Sequence, residues 1–281
     1  MAPAPAGPAA PWPMPLALKA SIGLHAAAAG LALAVPEAAP WALGGVVLNH
    51  AVLTTAGLWP RSSLLGPNLT HLPADAVGRG EIALTIDDGP DAEVTPQVLD
   101  LLDLAGARAT FFCIAERARA LPALTREIVA RGHSVQNHSH AHRHNFSLLG
   151  PRGMAAEVER AQEALADITG VRPTCFRAPA GLRNPFLDPV LHRLGLRLVS
   201  WTRRGFDTRE TDPQRVLTRL CDGLARGDIL LLHDGHAARS AQGRAVVLDV
   251  LPLLLDRCRG DGLRTVTLPA ALRAAWRSTA T

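Results

Sequence analysis

The chain has 281 residues, 48% of them apolar and 19% charged, with a formal net charge of +4. That length suits one medium domain with an appendage, and that composition excludes a disordered chain. No basic stripe interleaved with aromatics occurs and tyrosine is absent, which excludes a nucleic-acid surface.

Residues 1–13 are rich in Ala and Pro and read as a disordered tail. Up to residue 60 the only ionised side chains are Lys19 and Glu37. Residues 15–36 and 38–60 are two apolar stretches joined by a turn that holds Pro36 and Pro40. Each is long enough to span a bilayer, so residues 15–60 read as a transmembrane helical hairpin. Interfacial or domain-packed helices are the alternative. A cleaved signal peptide is disfavoured, because the n-region lacks positive charge and a second apolar stretch follows. Lys19 near one end and Arg61 past the other assign the following domain to the cytoplasmic face of the inner membrane.

Residues 61–80 read as a polar linker, and residues 81–281 as the catalytic domain. In that domain short apolar runs alternate with helical patterns. The runs are 82–86, 109–114, 134–136, 175–176, 196–200, 228–232 and 263–267. Helical stretches lie at 95–105, 116–131, 153–169, 186–194, 213–225, 244–258 and 269–277. Strand–helix alternation with fully apolar strands predicts a parallel α/β sheet, and about seven repeats favour a barrel over an open sheet. Cys113, Cys175, Cys221 and Cys258 form no CxxC pair and read as free, mostly buried thiols.

In a barrel of parallel strands, chemistry sits at the C-terminal strand ends. The polar residues follow that rule. The first run ends in Asp87-Asp88-Gly89-Pro90. Adjacent carboxylates are costly unless a cation compensates them, and Gly-Pro supplies the turn that lets both face one site. An ordinary Asp-Gly-Pro turn is the plain alternative. The third run leads into His138-Ser139-His140-Ala141-His142-Arg143-His144. Histidines at i and i+4 on one face of a helical turn can grip one metal ion, but 138/142 and 140/144 share that spacing. A solvated His-rich loop is the alternative here, and His133 reads as structural. Arg177, after the fourth run, can orient a carboxylate base through bidentate hydrogen bonds. His233, at the end of the sixth, stands where a proton donor belongs. Either could equally be a surface or rim residue.

Taken together, Asp-Asp-Gly-Pro, His-Ser-x-x-His, Arg-x-Pro-x-Gly and Leu-x-His resemble the polysaccharide deacetylase family (the NodB-homology domain, carbohydrate esterase family 4). The resemblance spans roughly residues 80–270. It implies a distorted (β/α)7 barrel and one divalent metal ion, commonly Zn²⁺, with Co²⁺, Mn²⁺ and Ni²⁺ as alternatives. It assigns Asp88, His138 and His142 as metal ligands, since Ser139 follows His138 as the pattern requires. It makes Asp87 the general base, Arg177 its orienting partner and His233 the general acid. Ala180 would offer a backbone N–H beside Gly181, and Leu231 would line the pocket for the acyl methyl group. Two positions depart from the pattern. An aromatic residue often stands where this chain has Ala180. Of the Asp-x-x-Asp-Trp element only Asp207 matches, and Arg204 replaces the acid that tunes the catalytic histidine.

The function so implied is metal-dependent removal of an N-acyl group, acetyl in the first instance, from an amino sugar in a polysaccharide, oligosaccharide or lipid-linked sugar. Carbohydrate O-acetyl esterase and deformylase of a polyprenyl-phosphate-linked amino sugar are the near alternatives. An inactive glycan-binding membrane protein and a His-rich metal carrier are the distant ones. Arg203 and Arg204 beside the active mouth, with a membrane hairpin, suit an anionic lipid-linked substrate.

Overall fold

The computed structural model describes residues 11–278, with side chains through Arg273. The tail expected at 1–13 therefore falls outside the described residues up to Ala10. Its last part is not loose, because the Trp12 indole donates to Asp188 Oδ2 at 2.7 Å.

Two helices open the fold, α1 (Leu16–Ala34) and α2 (Ala39–Leu58), with a 3₁₀ turn at Pro36–Ala38 between them. They pack antiparallel against each other. Leu18, Leu53, Ala56 and Leu65 form a small shared core. Polar contacts fix their register: the Asn49 amide donates to Ser21 Oγ at 2.8 Å, and the rings of His25 and His50 meet at 3.2 Å between their Nε2 atoms. Most of their remaining surface is exposed and apolar, including Leu16, Ile22, Leu33, Trp41, Leu43 and Leu48.

The segment 61–80 is not a free linker. It contains α3 (Ala74–Gly78), buries Leu65, Leu72 and Ala76, and pairs Leu69 in parallel with Val199. Its apolar residues are spaced too irregularly to announce this.

The main domain then alternates as expected. Its elements are β1 (Glu81–Asp87), α4 (Val94–Leu104), β2 (Ala109–Cys113), α5 (Ala115–Ala120), α6 (Pro122–Ala130), β3 (Ser134–Asn137), α7 (Pro151–Thr169), β4 (Cys175–Phe176), α8 (Leu187–Leu194), β5 (Arg197–Leu198), β6 (Arg203–Arg204), α9 (Pro213–Cys221), β7 (Ile229–His233), α10 (Val246–Gly260), β8 (Arg264–Thr265) and α11 (Leu268–Ser278). The single helix expected at 116–131 is two, because Pro122 lacks the N–H that would continue the first and instead starts the second. The strand β6 was not expected; two charged residues hide it from any hydropathy pattern.

All strand pairings are parallel, in the order β5-β4-β3-β2-β1-β7-β6, with β8 on the first half of β1. The sheet curls into an incomplete barrel. Its edge strands β5 and β6 do not pair with each other among the described residues. Leu69 enters there, donating its N–H to Leu198 O and accepting from Ser200 N–H.

Strand alternation sorts the side chains. On β1, Ile82, Leu84 and Ile86 point outward into the core shared with the helices, with Phe111 of β2 and Leu230 and Leu232 of β7. The other parity points inward: Ala83, Thr85 and Asp87 on β1, Phe112 on β2, and Ile229, Leu231 and His233 on β7. The inner face is apolar at its N-terminal end and polar at its C-terminal end. Cys113, Cys175 and Cys258 are buried, and all four thiols are free.

The end of the hairpin is seated on the barrel rim. The Arg183 N–H donates to Gly57 O at 3.0 Å, and the Ser200 hydroxyl donates to Pro60 O. Gly181 has φ 73°, and an added Cβ would lie 2.7 Å from both Pro60 and the Trp201 ring. Both facts require glycine. Gly181→Ala is expected to cost about 1–3 kcal/mol, read as a lowered thermal midpoint, with the loss shared by Gly57→Ala at the same seat.

Candidate active site

The site forms where β1, β3, β4 and β7 end. Asp87 closes β1 in register with His233 on β7. Asp88 leaves the strand at φ 73°, which turns its carboxylate onto the side that Asp87 already faces.

His138 follows β3, and the next residues form a loop rather than the expected helical turn. The Asn137 side chain accepts from Ser139 N–H at 2.9 Å, and Ser139 Oγ accepts from His142 N–H at 3.0 Å. Ser139 and His142 both have positive φ. The serine thus builds the turn that folds His142 back beside His138, their ring centroids 4.9 Å apart. His140 points elsewhere, with Nε2 3.6 Å from Glu116, and His144 is exposed. His133 is buried behind β2, where its Nδ1 accepts the Ala109 N–H; burial pushes its pKa down to about 4.

Asp88, His138 and His142 converge, their ligand atoms all within 4.8 Å of one another. The hydrogen bonds show which lone pairs face inward. His138 Nδ1 lies 2.8 Å from the carbonyl oxygen of Arg177, which can only accept, so Nδ1 carries the proton and Nε2 presents a lone pair. That Nε2 is 3.1 Å from Asp88 Oδ1, and His142 Nε2 is 3.2 Å from the same atom. Asp88 Oδ1 is buried with no hydrogen-bond partner. A buried acceptor facing two imidazole nitrogens fits a divalent cation of the zinc type.

Electrostatics agree. Burial works against a charged His138, but the carboxylates of Asp87 and Asp88 outweigh it and raise its pKa. Burial, and then the charge of His138, push His142 down to about 4. Burial alone would raise Asp88, yet the adjacent rings of His138 and His236 hold it well below the usual carboxylate range. The pocket calls for positive charge and keeps a neutral imidazole ready.

Asp87 is 3% exposed, and its Oδ1 accepts from Arg177 Nη1 at 2.7 Å. The contact is single, not the bidentate fork expected. Arg177 spends its other N–H groups on Thr85 Oγ1 and the carbonyls of Val199 and Ser200, and its guanidinium lies over the Phe112 ring.

His233 is gripped by Asp207, which is wholly buried. Asp207 Oδ1 lies 2.9 Å from His233 Nδ1, and Oδ2 accepts the His233 backbone N–H at 2.7 Å. Burial opposes a charged His233, but Asp207 outweighs it, with Asp87 and Asp88 adding, so its pKa is raised. Leu231 sits on the inner face of β7 between Thr85 and Arg204 in register. Ala180 is exposed at φ 53°.

The pair Arg203/Arg204 divides. Arg203 faces away from the site, bound to Asp228 at 2.9 Å and to the carbonyls of Asp222 and Gly223. Alternation on β6 sends only Arg204 inward, where it lies 5.4 Å from the Trp201 ring centroid and 4.9 Å from that of Phe206.

Several site residues escaped the sequence reading. Thr85 and Ser200 hold Arg177, and Asn137 shapes the histidine loop. Asp234 is buried behind the site and pushed up to about 7, first by burial. His236 and Arg117 reach Asp88 itself. The run His233-Asp234-Gly235-His236 was the available signal for His236.

A profile of the polysaccharide deacetylase family matches residues 74–199. The chain is 32% identical over 200 residues to the chitooligosaccharide deacetylase of Azorhizobium caulinodans, covering 68% of this chain and 94% of that one. It is 33% identical over 196 residues to a peptidoglycan-N-acetylglucosamine deacetylase of Bacillus cereus, covering 68% and 88%. A family 4 carbohydrate esterase from Streptomyces lividans, solved with acetate, superposes with a TM-score of 0.61 at 32% identity over 67% of this chain and 93% of that one. The chain belongs to the polysaccharide deacetylase family. It is a hydrolase acting on non-peptide carbon–nitrogen bonds.

Asp88→Asn and His142→Ala are expected to lower Zn²⁺ affinity by more than about 10²-fold, measured by chelator competition. His140→Ala and His144→Ala are expected to keep it within a few-fold.

Proposed function

We propose that the chain is a metal-dependent, membrane-anchored N-deacetylase of an amino-sugar glycan. One observation carries the reading: Asp87, held by Arg177, and His233, held by Asp207, lie in register at the strand ends beside the Asp88–His138–His142 cluster.

Asp88, His138 and His142 would hold the ion, which when bound polarises a carbonyl and acidifies water. Asp87, bound to the buried Arg177 guanidinium, takes the proton of the attacking water. Asp207 can only accept, so His233 Nδ1 carries a proton toward it and Nε2 is left to serve the substrate. The raised pKa favours the protonated ring, the form that can protonate the departing amine. The backbone N–H of Ala180 would support the carbonyl oxygen. Leu231 would line the space for the acetyl methyl group.

The anchor reading rests on α1 and α2. Both are long and apolar enough to cross a bilayer, and little of either is buried against the domain. Trp41 and Trp59, both exposed, are separated along α2 by about 27 Å at 1.5 Å per residue, matching a hydrocarbon core with an aromatic at each face. Lys19 and Arg61 keep the cytoplasmic face of the inner membrane as the catalytic side, which protease protection in inverted vesicles tests.

Incubation with N-acetylated oligosaccharides should release free amine and acetate, and a chelator should stop the release. Absence of free amine from every N-acetyl sugar would end the reading. Asp207→Asn removes the main influence that raises the His233 pKa. The alkaline limb of kcat/KM should then move to lower pH, and the rate should fall about 10²–10³-fold.

A second reading, a lipid-linked phosphorylated amino sugar, is favoured by Arg204. It is half-buried, faces the site, lacks an ion pair among the described residues and leaves its Nε without a partner. Arg204→Gln should weaken a phosphorylated lipid-linked substrate at least about tenfold more than a neutral oligosaccharide. Equal losses would leave the neutral glycan.

A further inference from the structure

His236 lies outside the elements that carry the family resemblance, yet it touches a metal-cluster residue. Its Nδ1 is 2.8 Å from Asp88 Oδ2, and its Nε2 is 2.9 Å from Arg117 Nη2. A guanidinium only donates, so His236 Nε2 accepts from Arg117. The remaining ring proton is then on Nδ1, which donates to Asp88 Oδ2. The tautomer follows from the partners.

Arg117 does more than orient this ring. Its Nη1 donates to the carbonyl of Asp88 at 3.0 Å and to that of Gly235 at 2.8 Å. One guanidinium therefore grips the backbone of Asp88, the residue before His236, and the His236 ring. The two loops meet so closely that an added Cβ at Gly235 would fall 2.1 Å from Asp88 O and 2.3 Å from Arg117 Nη1. His236 is exposed, so this grip rather than burial holds it in place.

The two oxygens of Asp88 thus have different fates. Oδ2 is occupied by an N–H donor. Oδ1 has no hydrogen-bond partner and faces Nε2 of His138 and His142. We propose that His236, oriented by Arg117, is a positioning residue that occupies Asp88 Oδ2 and so limits Asp88 to a single oxygen toward the ion. The inference rests on the metal-binding reading given above. It assigns His236 no direct bond to the ion, since its one lone pair is turned to Arg117. A carboxylate held to one oxygen leaves coordination positions for water and a carbonyl, and groups that orient ligands in this way set affinity.

The test uses the full chain in detergent, with Zn²⁺ affinity read by chelator competition and thermal midpoints read on the metal-free protein. His236→Phe keeps a ring but removes the donor. His236→Asn keeps an N–H donor near the place of Nδ1. His236→Phe should bind Zn²⁺ about 10–100-fold more weakly, with a metal-free midpoint like that of wild type. His236→Asn should recover most of that affinity. Wild-type affinity in His236→Phe overturns the inference alone, as does an equal loss in both variants. A wild-type chain that binds no Zn²⁺ overturns it together with the metal-binding reading.

Discussion

Burying a guanidinium costs several kcal/mol unless its N–H groups find acceptors, and inside this curled sheet they do. Arg177, 1% exposed, is met by Thr85 Oγ1, Asp87 Oδ1 and the carbonyls of Val199 and Ser200, with Phe112 beneath it. The acceptors come from β1 and from the chain leaving β5. One cation therefore joins the middle of the sheet to the edge where the barrel fails to close. Removing either charge would strand the other, at a cost of about 3–5 kcal/mol. The pair also sets the geometry, because the guanidinium aims the Asp87 carboxylate. The carbonyl of Arg177 in turn fixes the tautomer of His138. Asp87 and the Asp88–His138–His142 cluster share one support.

The His233 side is built separately and by a different device. Asp207 grips both the ring and the backbone N–H of His233, so one carboxylate sets the imidazole. The resemblance expects the tuning acid where Arg204 stands, and no carboxylate occupies that position. Arg204 lies over Trp201 and Phe206, and Asp207 alone performs the grip.

Much of this was legible in the chain because period-2 alternation and strand-end placement leave marks. The runs at 82–86, 109–114 and 228–232 became β1, β2 and β7 within a residue or two, and Asp87, Asp88 and His233 fell at their ends. The convergence of His138 with His142 was read from a motif but for the wrong local reason. A serine-braced loop, not a helical turn, brings them together, and positive φ at Ser139 and His142 has no hydropathy signature. Strand β6 was invisible because its two arginines face opposite sides of a short edge strand. Arg203 looked like a site residue only because sequence proximity to Arg204 says nothing about parity. Residues 61–80 looked like a spacer because their polar composition conceals three buried anchors, Leu65, Leu72 and Ala76.

The seat of Pro60 on Gly181 and Ser200 bears on reach. A flexible spacer of twenty residues would let a tethered domain wander over about 25 Å r.m.s.. Here the spacer has no slack, since the helical hairpin ends on the same loop that carries Arg177 and Ala180. If the hairpin stands in a bilayer, the catalytic mouth keeps a constant height and heading above the lipid plane. Polymer lying farther off must then come to the enzyme, while anything protruding from the adjacent leaflet is always within its grasp.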